Sequence, residues 1–201
     1  MTAAAPGAFG GFLPQLTGRL GPVRWVEAAT AEGGDRGFAV FYLGAPGGEV
    51  GTAVTNGLRF QRTAAPVPRE LCCTLLLDQE ETAHRIVVQV ARMALAGGQG
   101  GAGGAVLSHG TLIPGERPLA PGSALVGVVC AGHPFTDAEF DVVRGADGRI
   151  ELRIITLIPA TAAELALAAE RGVETLFELW EARQADLADV NRACATAASG
   201  N

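Results

Sequence analysis

Ser108 and His109 are adjacent, Cys72 and Cys73 form a vicinal pair, and Asp78 follows them, so the residue types for nucleophilic catalysis are present. Such a triad works only if each member is hydrogen-bonded to the next. Neighbours in an extended segment point to opposite faces, so Ser108 and His109 cannot bond side chain to side chain without a bend. The chain has no Gly-x-Ser-x-Gly elbow to expose a nucleophile. His109 therefore reads as a turn histidine satisfied by the backbone, and no catalytic residue is assigned. Cys72 and Cys73 sit in an apolar run, one sulfur to each side, and behave there as small buried hydrophobes.

Metal and cofactor chemistry fare no better. His84, His109, His133 and Cys130 are zinc-ligand types, but only Cys130 and His133 are closely spaced and no second half matches them. No metal site is assigned. The stretch AGGQGGAGGA has Gly-x-Gly-x-x-Gly-like spacing, yet a helical pattern precedes it and a strand pattern follows. A dinucleotide loop needs the reverse order, so this segment reads as a flexible connector and no cofactor is expected. Asp137, Glu139 and Asp141 recur at spacing two in TDAEFDVV. If that stretch is extended, three carboxylates share one face, and they become the candidate contacts for a basic protein partner. Protection of a strand edge is the plainer role for the same pattern.

Hydrophobic periodicity gives the scaffold. Leu13, Leu16 and Leu20 suggest a short helix ending near Gly21-Pro22, followed by strands over 23–28 and 37–43 around the turn-forming Glu32-Gly33-Gly34-Asp35. Residues 52–58 contain Asn56-Gly57, a tight-turn dipeptide, and 70–77 read as a buried strand. Asp78 with Glu81 predicts a helix cap, and Ala83, Ile86, Val87, Val90, Ala91 and Ala94 make one apolar stripe before Gly97-Gly98. Strands are then expected over 106–113, 124–130, 140–144 and 150–158, the last two around the turn 145–148. From Ile154 onward the last strand is apolar on both faces, as in a central strand covered on each side. Pro159 is expected to end it, and Thr161 with Glu164 to cap the next helix, which Gly172 closes. Val173, Leu176, Phe177, Leu179 and Trp180 stripe a final helix.

The 201 residues suit one core, and 48% hydrophobic content is that of an ordinary globular domain. All 15 Lys+Arg positions are Arg, which removes Schiff-base chemistry and lysine-dependent phosphate loops. A net charge of −6 argues against nucleic acid as the partner. No apolar span reaches the roughly 20 residues of a membrane helix, the first residues lack a signal-peptide pattern, and no Cys-x-x-Cys occurs. The expected location is the cytoplasm.

Four stretches, in order, resemble the suppressor of fused (SUFU) family, in particular its bacterial single-domain members. VTNGL, with Thr55, Gly57 and Leu58, is similar to a threonine-x-glycine-leucine turn of that family, although Arg59 stands where Ser is usual. RELCCTLLL carries Glu70 of a Glu-Leu strand. LSHGTLIPGERPLAPGSALVGVV carries His109 and the Pro-Gly-Ser turn with Gly122 and Ser123. ITLIPATAAELALAAERGVETLFEL carries Pro159, Glu164 and Gly172. The resemblance covers roughly residues 20 to 185. It implies a three-layer α+β domain, a mixed, mostly antiparallel sheet flanked by helices, spanning 10–195 with tails at 1–9 and 196–201. It also implies a non-enzymatic protein-binding function, of the immunity type that occludes a bacterial toxin. A small hydrolase using His109, or a regulatory or oligomerisation module, is the alternative from another class.

Overall fold

β-branched and aromatic runs build the sheet, and one of them organises the rest. The computed structural model describes residues 9–30, 37–61, 65–96 and 106–197. The strands are β1 (Val23–Thr30), β2 (Gly37–Leu43), β3 (Val50–Asn56), β4 (Arg69–Leu76), β5 (Leu112–Ile113), β6 (Leu125–Ala131), β7 (Val142–Arg144) and β8 (Ile150–Thr161). They form one mixed sheet of order β1-β2-β3-β4-β8-β6-β5, antiparallel except for the parallel β4–β8 pair. Arg153 of β8 pairs with Arg69 on one side and Val142 on the other, while Thr156 pairs with Cys72 and Ala131. Strands β7 and β6 therefore lie end to end along one edge of β8, and the chain between them leaves a notch over residues 154 and 155.

Among the described residues four helices cover the sheet: α1 (Phe12–Leu20), α2 (Glu80–Ala96), α3 (Ala162–Arg171) and α4 (Val173–Ala182). Alternation along β8 decides which layer each side chain meets. Ile155 and Leu157 join the stripe Ala83, Ile86, Val87, Val90 and Ala91 of α2. On the opposite face Leu152 and Ile154 meet Phe12 and Leu16 of α1, and Ile158 and Ala160 meet Leu165, Leu176 and Trp180 of α3 and α4. The fold is thus three-layered α+β, with β8 central and covered on both sides. Cys73 faces the α2 layer and Cys72 the α1 layer, as the vicinal spacing demands.

Several local expectations are corrected. Asp78 lies inside a 3-10 turn (Leu77–Gln79) that leads into α2, so it is not at the helix cap. Only Leu112–Ile113 of the run 106–113 is strand, because Ser108–Gly110 turns: the Gly110 N–H reaches the Cys130 carbonyl at 2.8 Å. The acidic stretch is not extended either. Ala138–Asp141 is a 3-10 turn, entered at Asp137, that drives Phe140 into the core with 0% exposure. Pro159 does not end β8, which runs on to Thr161 with Pro159 opposite Val128. The break in pairing is on the other side, where register with β4 stops at Thr156, so the missing proline N–H costs no ladder bond there. The Glu32–Asp35 turn and the glycine-rich connector, 97–105, lie outside the described residues.

The cap of α3 follows the sequence pattern. Thr161 Oγ1 accepts the Glu164 N–H at 3.2 Å, and Glu164 Oε2 accepts the Thr161 N–H at 2.9 Å. Thr161→Ala removes one acceptor and should cost about 0.5–2 kcal/mol, read from urea unfolding. A variant as stable as the parent would mean the carboxylate alone holds the turn.

Candidate functional site

The notch beside β8 opens into two adjoining cavities, both bordered by His109, Ala131 and Gly132. One, of about 430 Å³, is walled by apolar groups: Pro134, Ile158, Phe177, Trp180 and Leu187. The other, of about 480 Å³, carries charged and polar groups, Arg69, Arg153, Asp141 and Ser108, among apolar ones such as Val142, Ile154 and Ile155. His109 stands on the ridge between them. Its Nε2 lies 3.0 Å from Glu174 Oε1, and its ring packs edge-on against Phe177 at 5.6 Å. The expected backbone partner is therefore a carboxylate instead. Ser108 Oγ bonds Thr111 Oγ1 at 3.3 Å, away from any nucleophile–histidine geometry.

The acidic triplet is dispersed by the 3-10 turn. Asp137 ion-pairs with Arg19 at 2.8 Å, and Glu139 lies 3.6 Å from Arg144; both side chains are exposed. Asp141 turns inward, where its Oδ1 accepts the His133 N–H at 3.0 Å. Burial pushes its carboxyl above the usual carboxylate range, against that hydrogen bond and the nearby His109 and Arg153. The three do not form one flat carboxylate face.

The remaining residues marked in the sequence hold the frame of the site. Glu70, at 0% exposure, ties β4 to the β3 turn: its oxygens accept Thr55 Oγ1 (2.6 Å) and the N–H groups of Gly57 (2.9 Å), Leu58 (3.3 Å) and Arg59 (3.2 Å). Gly57 has φ of 131°, which only glycine adopts without strain, and a Cβ there would also press on Phe38. Arg59, the departure from the family pattern, supplies Glu70 with a counterion at 2.7 Å. Burial pushes the Glu70 carboxyl up; the Thr55, Gly57 and Arg59 hydrogen bonds and the Arg59 charge pull it back. Glu164 does the same work at the other end. It receives Arg192 through both oxygens, at 2.7 and 2.8 Å, and Arg192 also donates to the Pro159 carbonyl at 3.0 Å. Ser123, set by the turn at Gly122 (φ 78°), donates to the Val190 carbonyl and accepts the Leu125 N–H. The chain after α4 is thereby fastened to β6, β8 and α3. Gly172, at φ 89°, separates α3 from α4 and brings Phe177 and Trp180 over the apolar cavity.

Sequence reasoning missed Arg69, Arg153 and Arg192, because an arginine in a strand or after a helix carries no motif. His133 was weighed only as a metal ligand. Among the described residues no group of three or more His, Cys, Asp or Glu is placed to hold a metal ion. His84 is engaged with Tyr42, and His133 Nε2 lies 2.9 Å from Thr74 Oγ1 while its Nδ1 accepts the Phe135 N–H. That pattern fixes a neutral Nε2–H imidazole. Burial pushes the thiols of Cys72 and Cys130 up to about 12, so neither is nucleophilic at neutral pH.

Burial also lowers His133 to about 4. The unfolded chain binds a proton on this histidine near pH 6.5, and the folded protein does so only near pH 4. Stability contributed by neutral His133 is therefore fully present above about pH 6.5 and is lost as pH falls toward 4. The expected loss is up to about 3 kcal/mol across that window, and His133→Gln should flatten it in urea titrations at stepped pH. An unaltered pH slope in the variant would refute the assignment.

The model of the family described as Suppressor of fused protein (SUFU) matches residues 33–193. The chain belongs to the suppressor of fused family. No curated protein matches it at significant similarity. Among solved structures, a SUFU homologue from Neisseria gonorrhoeae FA 1090 superposes with a TM-score of 0.67 at 16% identity, covering 96% of this chain and 98% of the other. A Sufu–Fu complex matches with a TM-score of 0.63 at 13% identity, over 94% of this chain and 91% of that one. Drosophila Suppressor of Fused matches with a TM-score of 0.52 at 14% identity, over 90% of this chain but 44% of its own length. At these identities the likeness carries the SUFU fold. No described helix is long and apolar enough to cross a membrane.

Proposed function

We propose that this SUFU domain is a non-enzymatic, cytoplasmic protein-binding module that neutralises a cognate bacterial toxin by covering it. The supporting observation is the notch: an apolar cavity and a charged cavity side by side, with His109 and Ser108 already engaged by Glu174 and Thr111. Adjacent apolar and charged walls suit a protein segment better than a reacting small molecule. Membership of a family with a member solved in complex with Fu supports the same reading. Four free cysteines suit a reducing compartment. The net charge of −6 favours encounter with a basic protein such as a nuclease, and Asp137 and Glu139, exposed but facing Arg19 and Arg144, would have to exchange those partners for the incoming one.

The test is co-expression with candidate toxin domains taken from the genes that neighbour this one. Restored growth and a complex that survives size-exclusion chromatography are expected. The association rate should fall as salt rises, and Asp137→Asn with Glu139→Gln should weaken that dependence. Growth that stays arrested, with no complex formed, rules out the toxin. Turnover in a hydrolase screen that vanishes in His109→Ala would replace binding with catalysis.

A further inference from the structure

Arg69 and Arg153 are register partners on the parallel strands β4 and β8, and both line the charged cavity. Like charges opposite one another on neighbouring strands repel, so an arginine pair here is a cost unless something sits between the guanidinium groups. Among the described residues neither has an ion-pair partner within 4.0 Å, and Arg69 Nε and Nη1 are buried with no hydrogen-bond partner. Burial, followed by the charge of Arg153, lowers the pKa of Arg69. Arg59 and Arg192 also leave Nε buried without a partner, but each has a counterion, Glu70 and Glu164 respectively, which Arg69 lacks. Asp141, in the same cavity, is held by the His133 N–H instead. In the adjoining cavity Trp180 also keeps its Nε1–H buried and unpartnered.

We infer that Arg69 and Arg153 form a carboxylate-binding subsite, which takes an acidic residue of a partner polypeptide while its apolar neighbour enters the cavity walled by Phe177 and Trp180. This deepens the protein-binding reading and rests on it. A guanidinium presents parallel N–H donors that match the two oxygens of a carboxylate. Two arginines and one aspartate leave the cavity with one net positive charge, which a monoanion neutralises; a dianionic phosphate would add repulsion with Asp141. The common border at His109, Ala131 and Gly132 lets one short segment fill both cavities. A basic partner surface and an inserted acidic residue are compatible, because the first steers the encounter and the second fixes the register.

The test uses arginine and tryptophan side-chain N–H resonances of the full chain. The probes are acetyl-Leu-Asp-amide, acetyl-Leu-Asn-amide and inorganic phosphate. The aspartyl peptide should shift the Arg69, Arg153 and Trp180 signals saturably, and bind at least about tenfold more tightly than the asparaginyl peptide. Arg69→Gln should weaken it by a similar factor without lowering the unfolding temperature, since a repulsion is removed. Arg153→Gln, at an exposed position, repeats the test if Arg69→Gln fails to fold. No saturable shift with either anion, or equal binding of the two peptides, overturns the subsite; tighter phosphate binding overturns the carboxylate assignment. A protein partner bound equally by parent and Arg153→Gln would sink the subsite and leave the binding reading standing. Peptide binding with no protein partner would do the opposite.

Discussion

Glu164→Ala should cost the protein about 3–5 kcal/mol, among the largest losses open to a single substitution, because it leaves Arg192 buried without a counterion. The Glu164 and Arg192 side chains are 0% and 4% exposed, and the carboxylate also accepts the N–H groups of Thr161 and Ala195, both at 2.9 Å. One side chain thus joins the end of β8, the first turn of α3 and the chain after α4. Its loss should release residues 186–197 in hydrogen exchange before it unfolds the sheet. Replacing both partners, Glu164→Leu with Arg192→Met, should cost much less than Glu164→Ala alone, since no buried charge is then orphaned. Burial pushes the Glu164 carboxyl up, but the Arg192 hydrogen bonds, the Thr161 and Ala195 amides and the Arg192 charge outweigh it and hold the group below the usual carboxylate range. A depressed acid stabilises the fold above its unfolded pKa, and that contribution is lost as pH falls through the folded value. The loss sets in toward the acid end of the His133 window and continues below it, so the decline seen in stepped-pH unfolding should extend further into acid in the parent than in Glu164→Ala. A Glu164→Ala variant within about 1 kcal/mol of the parent would refute the buried-pair account.

The sequence carried the frame of this molecule better than its surface. Strand β2, the stripe of α2 and the Thr161–Glu164 cap follow from local periodicity and capping chemistry, which need no knowledge of the partner element. Glu70 is visible only as a family motif and Glu164 only as a cap and a family motif; their counterions Arg59 and Arg192 are not legible, and the second of these is distant in sequence. The acidic triplet was misjudged for a definable reason. Spacing two reads as extended backbone, but Ala138–Asp141 is a 3-10 turn that buries Phe140 in the α1 core and disperses the three carboxylates around it. The arginine pair was illegible, since parallel pairing of β4 with β8 sets Arg69 beside Arg153 across 84 residues of chain, the difference 153 − 69. Pro159 misled because a proline ends pairing only on the edge where its N–H was needed.

Glu70→Ala is expected to match the Glu164 effect, at about 3–5 kcal/mol, with a different spectroscopic signature. The substitution strands the N–H groups of Gly57, Leu58 and Arg59 and leaves the Arg59 guanidinium, still bonded to Asn56, without its counterion. The β3 turn should loosen, while the chain after α4 keeps its protection, which separates this lesion from that of Glu164→Ala. Arg59→Ser, which installs the residue usual in the family motif, tests the counterion alone. It keeps the backbone donors and removes the 2.7 Å ion pair, together with the cation stacked 4.6 Å above Phe12 and 4.4 Å above Phe60. Burial already pushes the Glu70 carboxyl up, and without the Arg59 charge and hydrogen bonds it rises further. An acid whose folded pKa exceeds its unfolded value favours the fold while protonated, so the deficit of Arg59→Ser should be greatest at neutral pH and shrink as pH falls. A double-mutant cycle of Glu70→Ala with Arg59→Ala, read by urea unfolding at neutral pH, should show coupling well above the roughly 0–1 kcal/mol of exposed pairs. Coupling within that exposed range, or an Arg59→Ser deficit that grows on acidification, would show that the backbone amides hold Glu70 without its arginine.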